Sequence, residues 1–125
     1  MKRHQYPFEK LNVWQAAREL ARMTYVETSS FPQREIYGMT SKCNRAAVSV
    51  ASNISEGSSR LSRKDQAHFS EIAYGSLTEL ACLLILSKDV GILSEGAERS
   101  LRNSIEEVSA QLNALHRTQC ARADT

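Results

Sequence analysis

Residues 80–86, with the sequence Leu-Ala-Cys-Leu-Leu-Ile-Leu, are apolar around the whole circumference of an α-helix. The segment is far shorter than the ~20 residues that cross a bilayer. A helix in a small soluble domain normally buries one stripe and leaves the opposite side in water. The segment therefore predicts a helix whose second face is covered by another copy of the protein.

The surrounding sequence predicts one long helix over residues 63–90, with two apolar stripes. Ser62 precedes it and Asp65 follows three positions later, as in a capping box. The main core stripe includes Ile72 and Leu84. A second stripe, more than a third of a turn away, is predicted to be an apolar contact face between subunits, and it consists of Tyr74, Thr78, Ala81 and Ile85.

Three further amphipathic segments account for most of the remaining chain, at about residues 11–28, 33–56 and 95–117. Pro32 suits the first turn of the second helix. Gly57 is expected to end that helix in the left-handed conformation. Strand-type alternation is absent from the sequence, which favours helices throughout.

The sequence thus predicts an all-α protein, an antiparallel up-and-down four-helix bundle that forms a single domain over residues 1–125. We expect flexible termini at residues 1–7 and 119–125. The first seven residues contain no secretory signal.

Composition places the chain among ordinary cytoplasmic proteins that do not enter a membrane. Its formal net charge is +2 over 125 residues, lower than is usual for a dedicated nucleic-acid binder. The three cysteines, Cys43, Cys82 and Cys120, are widely spaced, which argues against a disulfide framework or a zinc site. Cys43 and Cys82 are expected to act as small hydrophobic residues.

A polar ladder runs along the outward side of the second helix and includes Arg45, Ser49, Asn53 and Glu56. A solvated helix face is the simplest explanation. However, Glu56 in the last turn meets the negative end of the helix dipole, at a cost of ~0.3–1 kcal/mol. Either Arg60 or Arg45 of another subunit could offset this cost.

Gly75 lies inside the third predicted helix, where it should cost ~1 kcal/mol relative to alanine. Close approach of another backbone would explain it. Simple tolerance in a long helix is an equally good explanation.

One pattern suggests a metal-binding protein or a small helical enzyme as an alternative. Asp65, His68 and Glu71 recur every three residues, similar to half of a di-iron site. A second copy of the pattern is missing. We find no nucleophile elbow and no phosphate-binding loop, so the sequence predicts no catalytic residue, no metal site and no cofactor.

Basic residues form small clusters that would be repeated around the axis of an oligomer. Such repetition could produce a positive field able to bind RNA or DNA. The candidate nucleic-acid contacts are Lys2, Arg3, Arg18, Arg22, Arg60, Arg63 and Lys64.

Three sequence patterns, taken together, resemble the S23-type four-helix bundle proteins encoded in intervening sequences of bacterial 23S ribosomal RNA genes. The resemblance covers about residues 8–115. The patterns are Phe31-Pro32-x-x-Glu35-x-Tyr37-Gly38-Met39, Arg45-Ala46-Ala47-Val48-Ser49-Val50-x-x-Asn53-Ile54-x-Glu56-Gly57 and Ile72-Ala73-x-Gly75-Ser76-x-x-Glu79-Leu80.

The resemblance implies a homopentameric ring without enzyme activity. It further implies a relation to the accessory variability proteins of diversity-generating retroelements, which bind nucleic acid and a reverse transcriptase. We expect contacts between subunits from the shared polar signature, with Arg45 and Glu56 as charge partners. The signature residues are Arg45, Ser49, Asn53, Glu56, Gly75, Ser76 and Glu79.

The leading hypothesis for function is an oligomeric scaffold or adaptor for RNA, DNA or a nucleic-acid-processing protein. A passenger of an rRNA insertion, which folds and assembles without a partner of its own, is a further alternative.

Overall fold

A computed structural model describes residues 3–123, and the side chains of residues 3–121. It confirms the all-α, up-and-down bundle. The four helices are α1 (Asn12–Thr28), α2 (Met39–Ser58), α3 (Arg63–Asp89) and α4 (Glu95–Ala123). Short 3-10 turns precede α1 and α2, at Pro7–Lys10 and Gln33–Glu35, and the described residues include no strand.

Each helix packs against two neighbours. α2 and α4 both contact α1 on one side and α3 on the other, so α1 and α3 occupy diagonal positions. One continuous apolar core fills the space between them, and its fully buried members include Leu20, Val50, Leu80 and Leu112. As in any four-helix bundle, the far side of every helix faces outward.

The predicted helix ends are confirmed at three places. The Ser62 hydroxyl accepts a hydrogen bond from the Asp65 amide at 3.1 Å, and the Ser94 hydroxyl accepts one from the Ala97 amide at 3.1 Å. Gly91 follows α3 with a φ of 84°, a conformation that favours glycine.

The predicted start of the second helix at residue 33 is wrong, because α2 begins only at Met39. The chain makes a 3-10 turn after Pro32, and Gly38 then directly precedes the helix with φ −112° and ψ −111°. The Glu35 carboxylate accepts a hydrogen bond from the Met39 amide at 3.3 Å, which satisfies one free donor at the start of α2. The break leaves Ile36 44% exposed.

The predicted role of Gly57 is also wrong. It does not end α2 in the left-handed conformation but lies inside the helix, buried against α3. A Cβ atom at this position would stand 2.8 Å from the Cβ atom of Phe69. Glycine is required here because α2 and α3 approach each other closely.

The C-terminal part of the chain is more ordered than predicted, because α4 continues to Ala123 rather than ending near residue 117. Gln119 lies in the expected flexible segment but is 5% exposed, and its side-chain oxygen accepts a 2.8 Å hydrogen bond from the Ser70 hydroxyl of α3. This buried hydrogen bond joins the last part of α4 to the first part of α3. The last two residues of the segment, 124–125, lie outside the described range.

Substitution of Gly57 by alanine should destabilise the bundle. We expect Gly57→Ala to lower the free energy of unfolding by about 1–3 kcal/mol, since the added methyl group would overpack the contact with Phe69. Gly96→Ala is the matched control, because Gly96 is also helical and has open space around it. Gly96→Ala should raise the free energy of unfolding by about 0.4–1 kcal/mol, because alanine has fewer conformations to lose on folding. Urea unfolding at one protein concentration measures both values, and equal changes would contradict the close approach.

Candidate assembly surface

The outward side of α3 carries a set of exposed apolar side chains. We call this set the outward surface of α3. Its members are Ile72 (39% exposed), Tyr74 (44%), Ile85 (37%), Leu86 (45%) and Val90 (66%). They extend along more than half of one helix. Ile72, Leu86 and Val90 lie on one flank of this side and Tyr74 and Ile85 on the other, so the apolar groups are spread over the outer half of the helix. Exposed apolar groups of this size make the side a candidate interaction site.

The second stripe predicted from the sequence belongs to the same part of α3. Tyr74, Thr78 and Ile85 are exposed in the protomer, as this stripe requires. Ala81 is half-buried, beside Glu98 and Arg102 of α4. The covering of this stripe by another subunit involves a second chain, and it stays a prediction.

Among the described residues, α3 is the one helix long and apolar enough to cross a membrane by length and composition. The core helix of a soluble protein can meet the same criteria, so this property alone does not identify a span. Only 28% of its most apolar 18-residue window is buried in the protomer. The other residues of this window are half-buried or exposed in the protomer.

A small polar network joins α2 and α3 next to the outward surface. The hydroxyl groups of Ser49 and Ser76 lie 2.8 Å apart and share a hydrogen bond. The side-chain amide of Asn53 donates to the Ser49 hydroxyl at 3.0 Å and to the backbone carbonyl of Ser49 at 2.8 Å. Three residues of the polar signature thus contact one another within a single protomer.

The Glu56 carboxylate is already paired inside the protomer. It accepts a hydrogen bond from the Arg60 guanidinium at 3.1 Å, and this guanidinium also lies 4.5 Å from the centre of the Phe69 ring. Arg60 was one of the two partners considered for Glu56. The pair offsets the unfavourable position of the carboxylate at the end of α2.

The remaining signature residues, Arg45, Glu79 and Gly75, are exposed. Within the described part of the chain, neither Arg45 nor Glu79 lies within 4.0 Å of an opposite charge. A Cβ atom on Gly75 would meet nothing within 4 Å, so no close contact inside the protomer requires this glycine.

A groove of about 350 Å³ lies between α3 and α4, beside Tyr74. The Nε2 atom of His116 lies 3.5 Å from a carboxylate oxygen of Glu71 and 3.5 Å from the Cys120 sulfur. The residues lining the groove are Ser70, Glu71, Tyr74, Gly75, Leu112, Asn113 and His116.

The structure does not bring the alternative metal ligands together. Glu71 contacts His116, whereas the exposed His68 ring packs edge-on against Phe69. No group of three His, Cys, Asp or Glu side chains in the described residues is arranged to hold a metal ion. Asp65, His68 and Glu71 point in successive directions around α3, since residues three apart are separated by about 60° on a helix.

The cysteines occupy different environments. Cys43 is fully buried, and burial raises the pKa of its thiol, while a hydrogen bond with Ser87 opposes the shift. Cys82, expected to act as a small hydrophobic residue, is exposed on α3. It lies three residues from Ile85 and four from Leu86, so it belongs to the same side of the helix.

The basic candidates divide into paired and unpaired residues. Arg22 pairs with Glu19, and the hydrogen bond from Arg22 lowers the pKa of the Glu19 carboxyl. Arg60 is likewise paired, with Glu56. Arg18 lies 5.5 Å from the centre of the Trp14 ring. Lys2 lies outside the described residues. Four candidates make no ion pair with any described residue: Arg3, Arg18, Arg63 and Lys64.

The hydrogen bond between Ser49 and Ser76 should couple α2 to α3. We expect Ser49→Ala and Ser76→Ala each to lower the free energy of unfolding by about 0.5–1.5 kcal/mol. Ser49→Ala should cost more than Ser76→Ala, since the Ser49 hydroxyl also accepts a hydrogen bond from Asn53, and the double variant should lose little more than Ser49→Ala alone. Urea unfolding checks this, with Ser52→Ala as the control, since the exposed Ser52 hydroxyl bonds only within its own helix. Full additivity would contradict the coupling.

A family model described as "23S rRNA-intervening sequence protein" matches residues 9–114. No curated protein matches the sequence significantly. A crystal structure of a protein of unknown function from the S23 ribosomal protein family of Bacteroides thetaiotaomicron is similar in fold, with a TM-score of 0.76 and 21% identity over 83% of this chain and 97% of that chain.

Proposed function

Because the chain belongs to the 23S rRNA-intervening sequence protein family, we propose that it is a non-enzymatic assembly protein of the cytoplasm. Its protomers associate through the outward surface of α3 into a homopentameric ring, the number of subunits that the family resemblance implies. The ring acts as a scaffold or adaptor that presents the remaining faces of the bundle to other molecules.

The observation that carries this proposal is the exposure of the outward surface of α3. Four large apolar side chains of α3, and that of Val90 directly after it, remain between 37% and 66% exposed in the protomer. Covering apolar surface stabilises an association by roughly 25 cal/mol per Å² before the costs of ordering are subtracted. In a ring, a different face of the neighbouring copy covers this surface, and the same contact is repeated at every subunit boundary.

A subunit contact accounts for this surface better than a membrane does. The opposite face of α3 buries Leu77, Leu80 and Leu84 in the bundle core. If α3 crossed a bilayer, this face would have to leave α2 and α4, and the core would be lost. Lateral association covers the outward surface and keeps the core intact.

A charge introduced into the outward surface should prevent assembly. We expect Leu86→Glu to raise the concentration of half-dissociation at least about tenfold, since covering a carboxylate with apolar groups is disfavoured by more than ~1.4 kcal/mol. Val26→Glu on α1 is the matched control, because Val26 is 54% exposed and lies outside this surface. Light scattering after size-exclusion chromatography measures the mass, and circular dichroism verifies that both variants stay helical.

The two variants separate the possible results. Dissociation of Leu86→Glu with an intact Val26→Glu assembly supports contact through α3. Equal masses for the wild type and Leu86→Glu would contradict it, and so would dissociation of Val26→Glu alone.

We also propose that the assembled ring contacts structured RNA through its unpaired cations. Arg63 and Lys64 support this role, because both lie at the start of α3 and neither is neutralised by a described carboxylate. In a ring this pair would be repeated around one rim, where the repeats would strengthen the local field.

Removal of these two cations should weaken RNA binding. We expect the variant Arg63→Gln with Lys64→Gln to bind a structured RNA at least several-fold more weakly and with a smaller salt dependence, since each lost phosphate contact reduces counterion release. Arg22→Gln is the control, because Glu19 already neutralises that guanidinium. Titrations at two salt concentrations measure the change, and equal losses in both variants would contradict a role of the start of α3.

A further inference from the structure

The α2–α3 face of the protomer presents two opposite charges at the same height. The shared hydrogen bond between Ser49 and Ser76 fixes the register of these antiparallel helices. Arg45 lies four residues before Ser49, and Glu79 three residues after Ser76. At 1.5 Å per residue, both lie about 5 Å from this bond, in the same direction along the bundle.

Both side chains lie beside the seam between the two helices and are free to meet another molecule. Residues three or four apart share a helix face, so Arg45 and Glu79 lie on the side that Ser49 and Ser76 define. Both are exposed, and neither has an opposite charge within 4.0 Å among the described residues.

We infer that Arg45 of one protomer pairs with Glu79 of the next copy of this chain in a head-to-tail ring. This inference rests on the proposed function. In a ring whose axis runs along the bundle, neighbouring subunits meet at equal heights, so charges of opposite sign at one height can pair around the whole ring. A contact in which one surface meets a different surface of the neighbour produces a closed ring when the rotation between neighbours closes, and an open filament when it does not.

The same geometry disfavours Glu56 as the partner of Arg45. The two residues are eleven positions apart on α2, which is roughly 16 Å along the helix. Glu56 also already binds Arg60. Glu79 instead lies seven residues from both Ile72 and Leu86, so apolar side chains of the outward surface flank its carboxylate on α3. Exclusion of water by these neighbours would strengthen an ion pair at Glu79.

Charge reversal tests the pairing. We expect Arg45→Glu and Glu79→Arg each to raise the concentration of half-dissociation roughly tenfold, because each places two like charges together. The double variant should return to within about threefold of the wild type, since its charges are again opposite. Arg22→Glu, which changes the net charge as Arg45→Glu does, should leave assembly unchanged.

Cysteine cross-linking tests the head-to-tail arrangement. In a chain with Cys82→Ser and Cys120→Ser, mild oxidation of Arg45→Cys together with Glu79→Cys should give a ladder of covalent oligomers that ends at the size of the ring. A two-fold symmetric contact would stop at the dimer, and pairing within one chain would give no intermolecular product. Either of these two results would overturn the inference.

Failure of this inference can be distinguished from failure of the proposed function. If the wild type assembles but both charge reversals leave its assembly unchanged, the pairing is wrong and the proposed contact through α3 remains. If the wild type stays a monomer at all concentrations, the proposed function and the pairing are both wrong.

Discussion

Helix α3 is apolar on more sides than the bundle can cover. Its inner face, with Leu77, Leu80 and Leu84, fills the space between α2 and α4. Because α1 lies on the diagonal, nothing in the protomer reaches the outer face, and Leu86 and Val90 stay exposed. This imbalance is the constraint on which the proposed assembly depends. α4, in contrast, has a narrow apolar seam and pairs Glu95 with Arg99 and Glu98 with Arg102 in its first turns.

The polar residues next to α3 serve different purposes, although they belong to one sequence signature. Ser49, Asn53 and Ser76 join two helices inside the protomer. Glu56 and Arg60 form an ion pair at the end of α2. Neither Arg45 nor Glu79 has an opposite charge within 4.0 Å among the described residues. A signature read from sequence thus separates into residues that hold the fold together and residues available to a neighbour. We propose that the second group orients the association that the apolar surface drives.

Much of the fold could be predicted because helix periodicity and capping residues are local signals. Ser62, Ser94 and Gly91 act at the predicted helix ends. The errors arise where tertiary contacts override these signals. Gly57 resembles a helix stop but is needed for close packing against Phe69, and Gln119 lies in an apparently polar tail but bonds to Ser70 across the bundle. Neither contact can be inferred before the register of the helices is known.

The candidate surface could be predicted only in part for a related reason. An all-apolar run indicates that α3 needs a second cover, but the exact direction of the core depends on packing against α2 and α4. The core stripe includes Leu77 rather than Ile72, so Ile72 moves to the exposed side. Cys82, which belongs to neither predicted stripe, is also exposed. This thiol lies on the side of α3 that the proposed contact covers, and it is a natural probe of that contact.

The rate at which Cys82 reacts with a thiol reagent, measured by peptide mass spectrometry over a range of protein concentrations, tests the covering of α3 most directly. The account predicts that labelling of Cys82 slows many-fold, relative to its rate in the unfolded chain, as the protein is concentrated from nanomolar to high micromolar levels. Fast labelling of Cys82 at every concentration would contradict it.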